Sequence, residues 1–345
     1  MQKMKAAKYY GSSDIRVEEV PVPETRKGEM KFKVEACGIC GSDITRWYMD
    51  PEAPKYFGHE PAGTVVEIGE GVENVNIGDR VFVHHHVPCF VCHYCQRGNF
   101  TMCETFKNTN IHPAGFAEYI RVPALNLERD TLKLPDSVTF EEATMIEPIG
   151  CCIKGLKKAN PRLGDTVAVV GAGFAGAVHI QLARIFGATK IIAIDSVEYR
   201  LKKALEFGAD AAINFKQDDV LSGVKDFSDG RGADIVIVAS GSFEAIKEGV
   251  QIAAKGSTLY LFAPFPPGSS FPIDLNHFFF SEITFVTSYS STHLDTHAAL
   301  ELIANKRIDS KNLITHRFPL NQINEAMQLA MKAKESLKVV VTMSE

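Results

Sequence analysis

Residues 166–183 read TVAVVGAGFAGAVHIQLA: an apolar run, then glycines at 171, 173 and 176 spaced G-x-G-x-x-G, then a stretch with apolar residues three and four apart. The run suits a strand buried on both faces, and Ala177, Ile180, Leu182 and Ile185 give the following helix one apolar face. Between them, Gly171 permits a tight turn, Gly173 lets backbone approach a pyrophosphate, and Gly176 lets helix and strand pack closely. Phosphates would lie on the helix N-terminus at Phe174 and Ala175, where amides and dipole favour an anion. The next apolar run, KIIAIDS, ends in Asp195, where a carboxylate can bond both ribose hydroxyls and would repel a 2′-phosphate. Arg200 follows in VEYRLKKAL and joins this set. The stretch predicts a dinucleotide site that favours NAD over NADP; the ordinary alternative for Asp195 is a charge at the next helix's N-terminus.

Working outward, the runs TVAVVG, KIIAIDS, DIVIVAS and STLYLF alternate with helical stretches such as VEYRLKKALEFGA, the pattern of βαβ units in a doubly wound parallel sheet. Before about Gly150 the text is strand-rich instead, with KFKVEACG, EPAGTVVEIG, DRVFVHHHV and GFAEYIRV set between Gly, Pro and Asp turns. Near the end, EITFVTSYS reads as a strand, LDTHAALELIANKRI as a helix and LKVVVTM as a last strand. The expected class is α/β. A chain of 345 residues is expected to hold two domains, since single cores stop growing beyond roughly 250 to 300 residues.

A formal charge of -5 from 37 basic and 42 acidic residues leaves no basic stripe for a phosphate backbone, which argues against nucleic acid. The N-terminal MQKMKAAKYY lacks the apolar core of a signal peptide, and no run approaches the roughly 18 apolar residues of a spanning helix. No membrane association and a cytoplasmic location are therefore expected. In such a chain eight cysteines point to metal or catalysis before disulfides.

Cys89, Cys92, Cys95 and Cys103 stand as C-x2-C-x2-C-x7-C. Four thiolates so spaced can wrap one tetrahedral Zn2+ in a closed shell, a structural site, with an iron–sulfur cluster as the competitor. Other candidates are dispersed: Cys40 in ACGICGSDITRW, His59 and Glu60 in FGHEPAG, and Glu147 in MIEPIGC. Singly, each has an ordinary explanation as a small buried residue, a turn residue or a solvated charge.

Together, CGICGSD, GHEPAGTV, GDRV, the four-cysteine loop, GFAEY, IEPIGC and VAVVGAGFAG resemble the zinc-containing medium-chain dehydrogenase/reductase family over essentially the whole chain, most closely its polyol (sorbitol-like) and secondary alcohol branch. The resemblance implies a GroES-like catalytic domain over residues 1–151, completed by 289–345, and an NAD-binding Rossmann domain over 152–288. It also implies a catalytic zinc on Cys40 and His59, with Glu60 and Glu147 as the remaining ligand candidates, one binding directly and the other holding the metal's water. Ser42 matches the family's proton-relay hydroxyl; its ordinary role would be a helix cap. The implied reaction moves a hydride between a secondary hydroxyl of a small polyol or related alcohol and NAD. Homo-dimers or homo-tetramers, often joined along the Rossmann sheet edge, are implied as well.

Two departures stand out. Thr45 occupies a position where many members carry histidine, and Arg46 precedes Trp47 where a polyol enzyme often has an aromatic residue. Arg46 and Trp47 are thus substrate candidates, and an arginine there could grip a phosphate bidentately, which makes a polyol phosphate the alternative substrate. His84, His85 and His86 follow DRVFV; alternation along a strand is expected to split them between two faces. The FFF at 278–280 is expected in a core or a subunit contact, and Cys151 and Cys152 in helix packing.

Overall fold

The computed structural model describes residues 2–343. The chain forms two compact units: one runs to Gly150 and resumes at Ser291, and the other is Cys151–Ser290. The first boundary falls inside the continuous helix Ile146–Ala159.

The Cys151–Ser290 unit holds six strands: β1 (Thr166–Val170), β2 (Lys190–Asp195), β3 (Ala211–Asn214), β4 (Ala233–Val238), β5 (Ala253–Leu261) and β6 (Thr284–Thr287). Their order is 3-2-1-4-5-6 and every neighbouring pair is parallel. All residues of β1 are buried, as expected for a strand covered on both faces. Ala168, Val170, Ile192, Ile194, Val236, Val238 and Leu259 form the core on one face. Strand order reverses at β1, and such a switch point opens a crevice at the strands' carboxyl ends, here at Gly171. The strand expected from EITFVTSYS shrinks to the four residues of β6, on the sheet's edge. In helix Leu275–Ser281, Phe278 packs on the core, whereas Phe279 and Phe280 are 76% and 73% exposed.

The other unit is built from both chain ends. Its seven-stranded sheet runs Ile314–Pro319, Lys338–Thr342, Met30–Gly38, Pro61–Ile68, Arg80–Val83 and Thr131–Lys133, with Tyr119–Val122 also pairing on Met30–Gly38. The alternation in MKFKV buries Met30, Phe32 and Val34, which pack with Val65, Val81, Phe116, Val339 and Val341. Two pairings matter for the site. Cys37 stands opposite Pro61, and Val340 stands opposite Gly38.

Candidate active site

Those pairings carry three segments to one place. Cys40 lies two residues past the end of its strand, in a turn where its N–H donates to Asp43 Oδ2 (2.9 Å) and its carbonyl accepts from the Asp43 N–H (3.1 Å). His59 and Glu60 stand immediately before Pro61–Ile68. One ligand atom from each of Cys40, His59 and Glu60 lies within 4.8 Å of the others. Lys338, first residue of its strand, reaches the same spot and is only 1% exposed; its Nζ donates to Ile39 O (3.0 Å) and, in a short contact, to Glu60 Oε2. Glycine is required at 38, because a Cβ there would sit 2.0 Å from Glu60 Oε2 and 2.7 Å from Lys338 Cε.

The donor set fits a zinc ion. Glu60 is fully buried and its Oε1 has no hydrogen-bond partner, which a protein avoids unless something else meets that oxygen. Burial pushes the Glu60 pKa up and Glu147 adds to the rise, while the Lys338 ammonium opposes it. Burial would lower the pKa of His59, yet the Asp43 carboxylate, 3.5 Å from its Nδ1, and the Cys40 sulfur raise it well above the usual range. The local potential thus favours a positive charge, and a sulfur, a ring nitrogen and a carboxylate oxygen converge as zinc ligation demands.

Of the two glutamates, Glu60 supplies the converging oxygen. Glu147 is buried on the first turn of Ile146–Ala159, outside that trio, with Oε1 4.0 Å from His84 Nε2. Ser42 opens the short 3-10 turn Ser42–Ile44, but the cap position belongs to Gly41, so the capping role foreseen for its hydroxyl is not realised. Thr45 Oγ1 donates to Gly41 O (2.7 Å). Arg46 is exposed; its Nη2 donates to Ser12 Oγ (3.2 Å) and its Nε lies 3.6 Å from Asp50 Oδ2. Trp47 packs edge-on against Tyr48, their ring centroids 5.9 Å apart.

The three histidines correct an expectation. Their strand ends at Val83, so alternation does not reach them, and the rings instead meet in series, edge-on or tilted: His84 to His85 is 5.1 Å, His85 to His86 is 4.0 Å, and His85 to His59 is 4.9 Å between centroids. Lys338, Asp43 and His85 were not singled out from sequence as parts of the site. The only local clue was a lysine opening the apolar run KVVVT.

Cys89, Cys92, Cys95 and Cys103 also bring their sulfurs within 4.8 Å of one another. Backbone N–H groups turn the loop around them: Cys92 N donates to Cys89 Sγ (3.3 Å) and Cys89 N to Cys103 Sγ (3.4 Å). All four are free thiols. The 4.0 Å between Cys89 and Cys95 sulfurs is near the roughly 3.8 Å edge of a tetrahedron with about 2.3 Å Zn–S bonds. It is far beyond a disulfide. Burial pushes Cys95 up to about 12. At Cys103 burial is outweighed by the N–H groups of Cys89 and Phe106, which bring it down to about 6. This loop can hold a structural zinc.

In the other unit the glycine turn has the required form. Gly171 has φ +98°, and a Cβ on Gly176 would lie 2.0 Å from Gly171 O. At Gly173 a Cβ would meet only the Arg200 guanidinium, at 3.5 Å. Gly173 caps helix Phe174–Ile185, which starts Phe174, Ala175, Gly176. Arg200 Nε is buried without a partner, a donor facing this turn that suits an anionic ligand. Asp195 is tied into the turn itself. It is 6% exposed; Oδ2 accepts from Ala172 N (2.7 Å), and Oδ1 from Ser196 N (2.7 Å) and Val197 N (3.0 Å). Its Oδ2 also lies 3.8 Å from Arg200 Nη1, so the carboxylate ties together the glycine turn, the start of the next helix and Arg200.

Comparison with known proteins agrees with both halves of this geometry. The alcohol dehydrogenase GroES-like domain family matches residues 26–136, and the zinc-binding dehydrogenase family matches residues 175–305. A sorbitol dehydrogenase of Halalkalibacterium halodurans is 34% identical over 96% of this chain and 97% of its own. The chain belongs to the zinc-containing medium-chain dehydrogenase family. An L-threonine 3-dehydrogenase of Bacillus subtilis resembles this dehydrogenase as closely, at 34% identity over 98% of each chain. The structure of an Escherichia coli alcohol dehydrogenase complexed with NADH superposes on it with a TM-score of 0.89, at 28% identity over 99% of this chain and 100% of the other. The dehydrogenase acts on an alcohol, and among its described residues no helix is long and apolar enough to cross a membrane.

Proposed function

We propose that this dehydrogenase oxidises a secondary hydroxyl of a polyol or related polar alcohol to the ketone, with NAD as hydride acceptor and zinc on Cys40, His59 and Glu60. The observation that carries this reading is the convergence of one ligand atom from each of those three residues, together with a buried Glu60 oxygen, Oε1, that has no hydrogen-bond partner. Bound there, zinc supplies Lewis acidity towards the substrate hydroxyl and NAD the hydride acceptor. The chain's own residues do the rest. Lys338 and Asp43 hold Glu60 and His59 in direction, Glu147 would orient the incoming hydroxyl, and Ser42 Oγ would take its proton towards solvent. Gly171, Gly173, Phe174, Ala175 and Gly176 cradle the pyrophosphate, while Arg200 and Asp195 face the adenosine ribose. The sorbitol relative supports a polyol. The polyol-phosphate alternative loses support because Asp50 and Ser12 already engage Arg46.

The same reading makes the protein a homo-dimer or homo-tetramer in the cytoplasm, with β6 and the exposed Phe279 and Phe280 as the contact. The test of function is an NAD- and NADP-reduction screen over polyols, polyol phosphates, simple secondary alcohols and L-threonine, with zinc measured in the same sample. Turnover of a polyol with NAD and two zinc ions per chain is expected. Cys40→Ser should abolish turnover, by at least about 1000-fold if the metal is lost, and leave NADH binding intact. Full turnover in that variant refutes the metal role.

A further inference from the structure

The four-cysteine loop carries an anomaly at its second residue. Phe90 stands at φ +64°, a left-handed conformation that glycine takes freely and a bulky side chain takes only at a cost. The chain turns back there, and the Cys92 N–H donates to Cys89 Sγ (3.3 Å). The turn alone calls for glycine, so the aromatic side chain answers to something outside the turn. Core burial does not explain it, since Phe90 is 37% exposed. Its ring instead closes a triangle with Phe100 and His293. Centroids lie 5.8 Å apart for Phe90 and Phe100, 4.9 Å for Phe90 and His293, and 5.0 Å for Phe100 and His293, every pair edge-on, the arrangement aromatic quadrupoles favour. Arg129 lies over the same Phe90 ring at 5.2 Å and donates to Pro88 O.

His293 arrives from the far end of the sequence, yet belongs to the same compact unit. It opens helix His293–Ala304, whose start is fixed by a capping box between Thr292 and Asp295. One turn on, Thr296 Oγ1 donates to Asp130 Oδ1 (2.8 Å). Arg129 and Asp130 are neighbours, so one corner of the chain holds the loop with its first residue and the helix with its second. The aromatic triangle closes this ring of contacts from the other side.

We propose that Phe90 is a positioning residue for the structural metal site: its ring clasps the four-cysteine loop to helix His293–Ala304 and keeps Cys89 and Cys92 in place to ligate. The inference rests on the assignment of zinc to that loop and deepens it. Loss of the ion begins when one thiolate leaves the shell, and for Cys89 or Cys92 the turn at residue 90 must unwind. Strain at Phe90 favours that unwinding. Two aromatic contacts and one guanidinium contact oppose it, and together they outweigh a single strained residue.

The test follows zinc release from the full-length protein to an excess of a chromogenic chelator, the loop's phase being the one that Cys103→Ser lacks. Phe90→Tyr and, as a control on the exposed neighbour, Val91→Ser should release at the wild-type rate. Phe90→Gly should release about 10-fold faster, although glycine suits the backbone better, and Phe90→Ala faster again, because alanine keeps the strain without the clasp. His293→Ala should speed release in the same direction, and the double variant Phe90→Gly with His293→Ala should fall well short of the product of the two effects, since each breaks the same contact. With cobalt in place of zinc, the thiolate-to-metal absorption of the loop should shift in Phe90→Gly and not in Val91→Ser. If His293→Ala does not fold, the Phe90 series decides. Release from Phe90→Gly at or below the wild-type rate overturns the clasp, and so does a double variant whose effects multiply. A wild type with no zinc phase that Cys103→Ser removes overturns the metal assignment beneath it.

Discussion

His179 sits within helix Phe174–Ile185 with its ring fully buried, Nδ1 2.7 Å from Ala175 O and Nε2 without a partner. Burial brings its pKa down to about 4, against only a partial opposing pull from the Ala175 carbonyl. In the unfolded chain the same imidazole titrates near 6.5. Between those values the unfolded state binds a proton that the folded state refuses, so stability present above pH 6.5 is lost as pH falls towards 4, by about 3 kcal/mol in all. His179→Met fills similar space without a titrating group, and it should flatten that part of the profile. Urea unfolding at pH 7.5 and pH 5 measures this. Equal losses in both proteins would show that His179 does not carry the acid sensitivity.

At the scale of elements, the loop from Cys89 to Cys103 has almost no apolar interior of its own. Its Cys95 and Cys103 pack with Phe106, just beyond the loop, and with the partly buried Phe100. Outside that small cluster the loop is tied down by Arg129, which donates to Pro88 O and lies over the Phe90 ring at 5.2 Å. A segment so poor in core depends on the metal for its shape. Cys103→Ser is expected to lower zinc from two ions per chain to one and to open the loop to limited proteolysis. The Cys151–Ser290 unit should keep its NADH affinity. Retention of two zinc ions by the variant would assign the second ion elsewhere.

For the whole molecule, one open edge of the parallel sheet stands out. Strand β6 has one side unpaired, Phe285 is 45% exposed, and Phe279 and Phe280 stand in solvent on the preceding helix. An open edge beside exposed aromatic rings is a pairing hazard in a monomer and an asset in an oligomer. Sedimentation should find a dimer or tetramer for the wild type. The double variant Phe279→Glu and Phe280→Glu should sediment as a smaller species with unchanged thermal stability of the fold. A monomeric wild type, or a variant of undiminished mass, would place the contact elsewhere.

What the amino-acid order determined by itself was whatever lies close in the chain. The glycine turn, the four cysteines of one loop, the βαβ alternation and the strand-rich first part were legible because their geometry is set by a few bonds and by residue periodicity. Cys40, His59 and Glu147 became candidates only through family resemblance, since no local rule links them. Only the tertiary structure decided which glutamate oxygen joins Cys40 and His59, because that depends on strand pairing across the sheet and on Lys338 arriving from the far end of the chain. It likewise decided that the three histidine rings meet edge-on or tilted, because the strand stops at Val83, and that Asp195 accepts from three backbone amides. Burial, which sets the charge state and the partner of each of these groups, is a property of the folded chain as a whole.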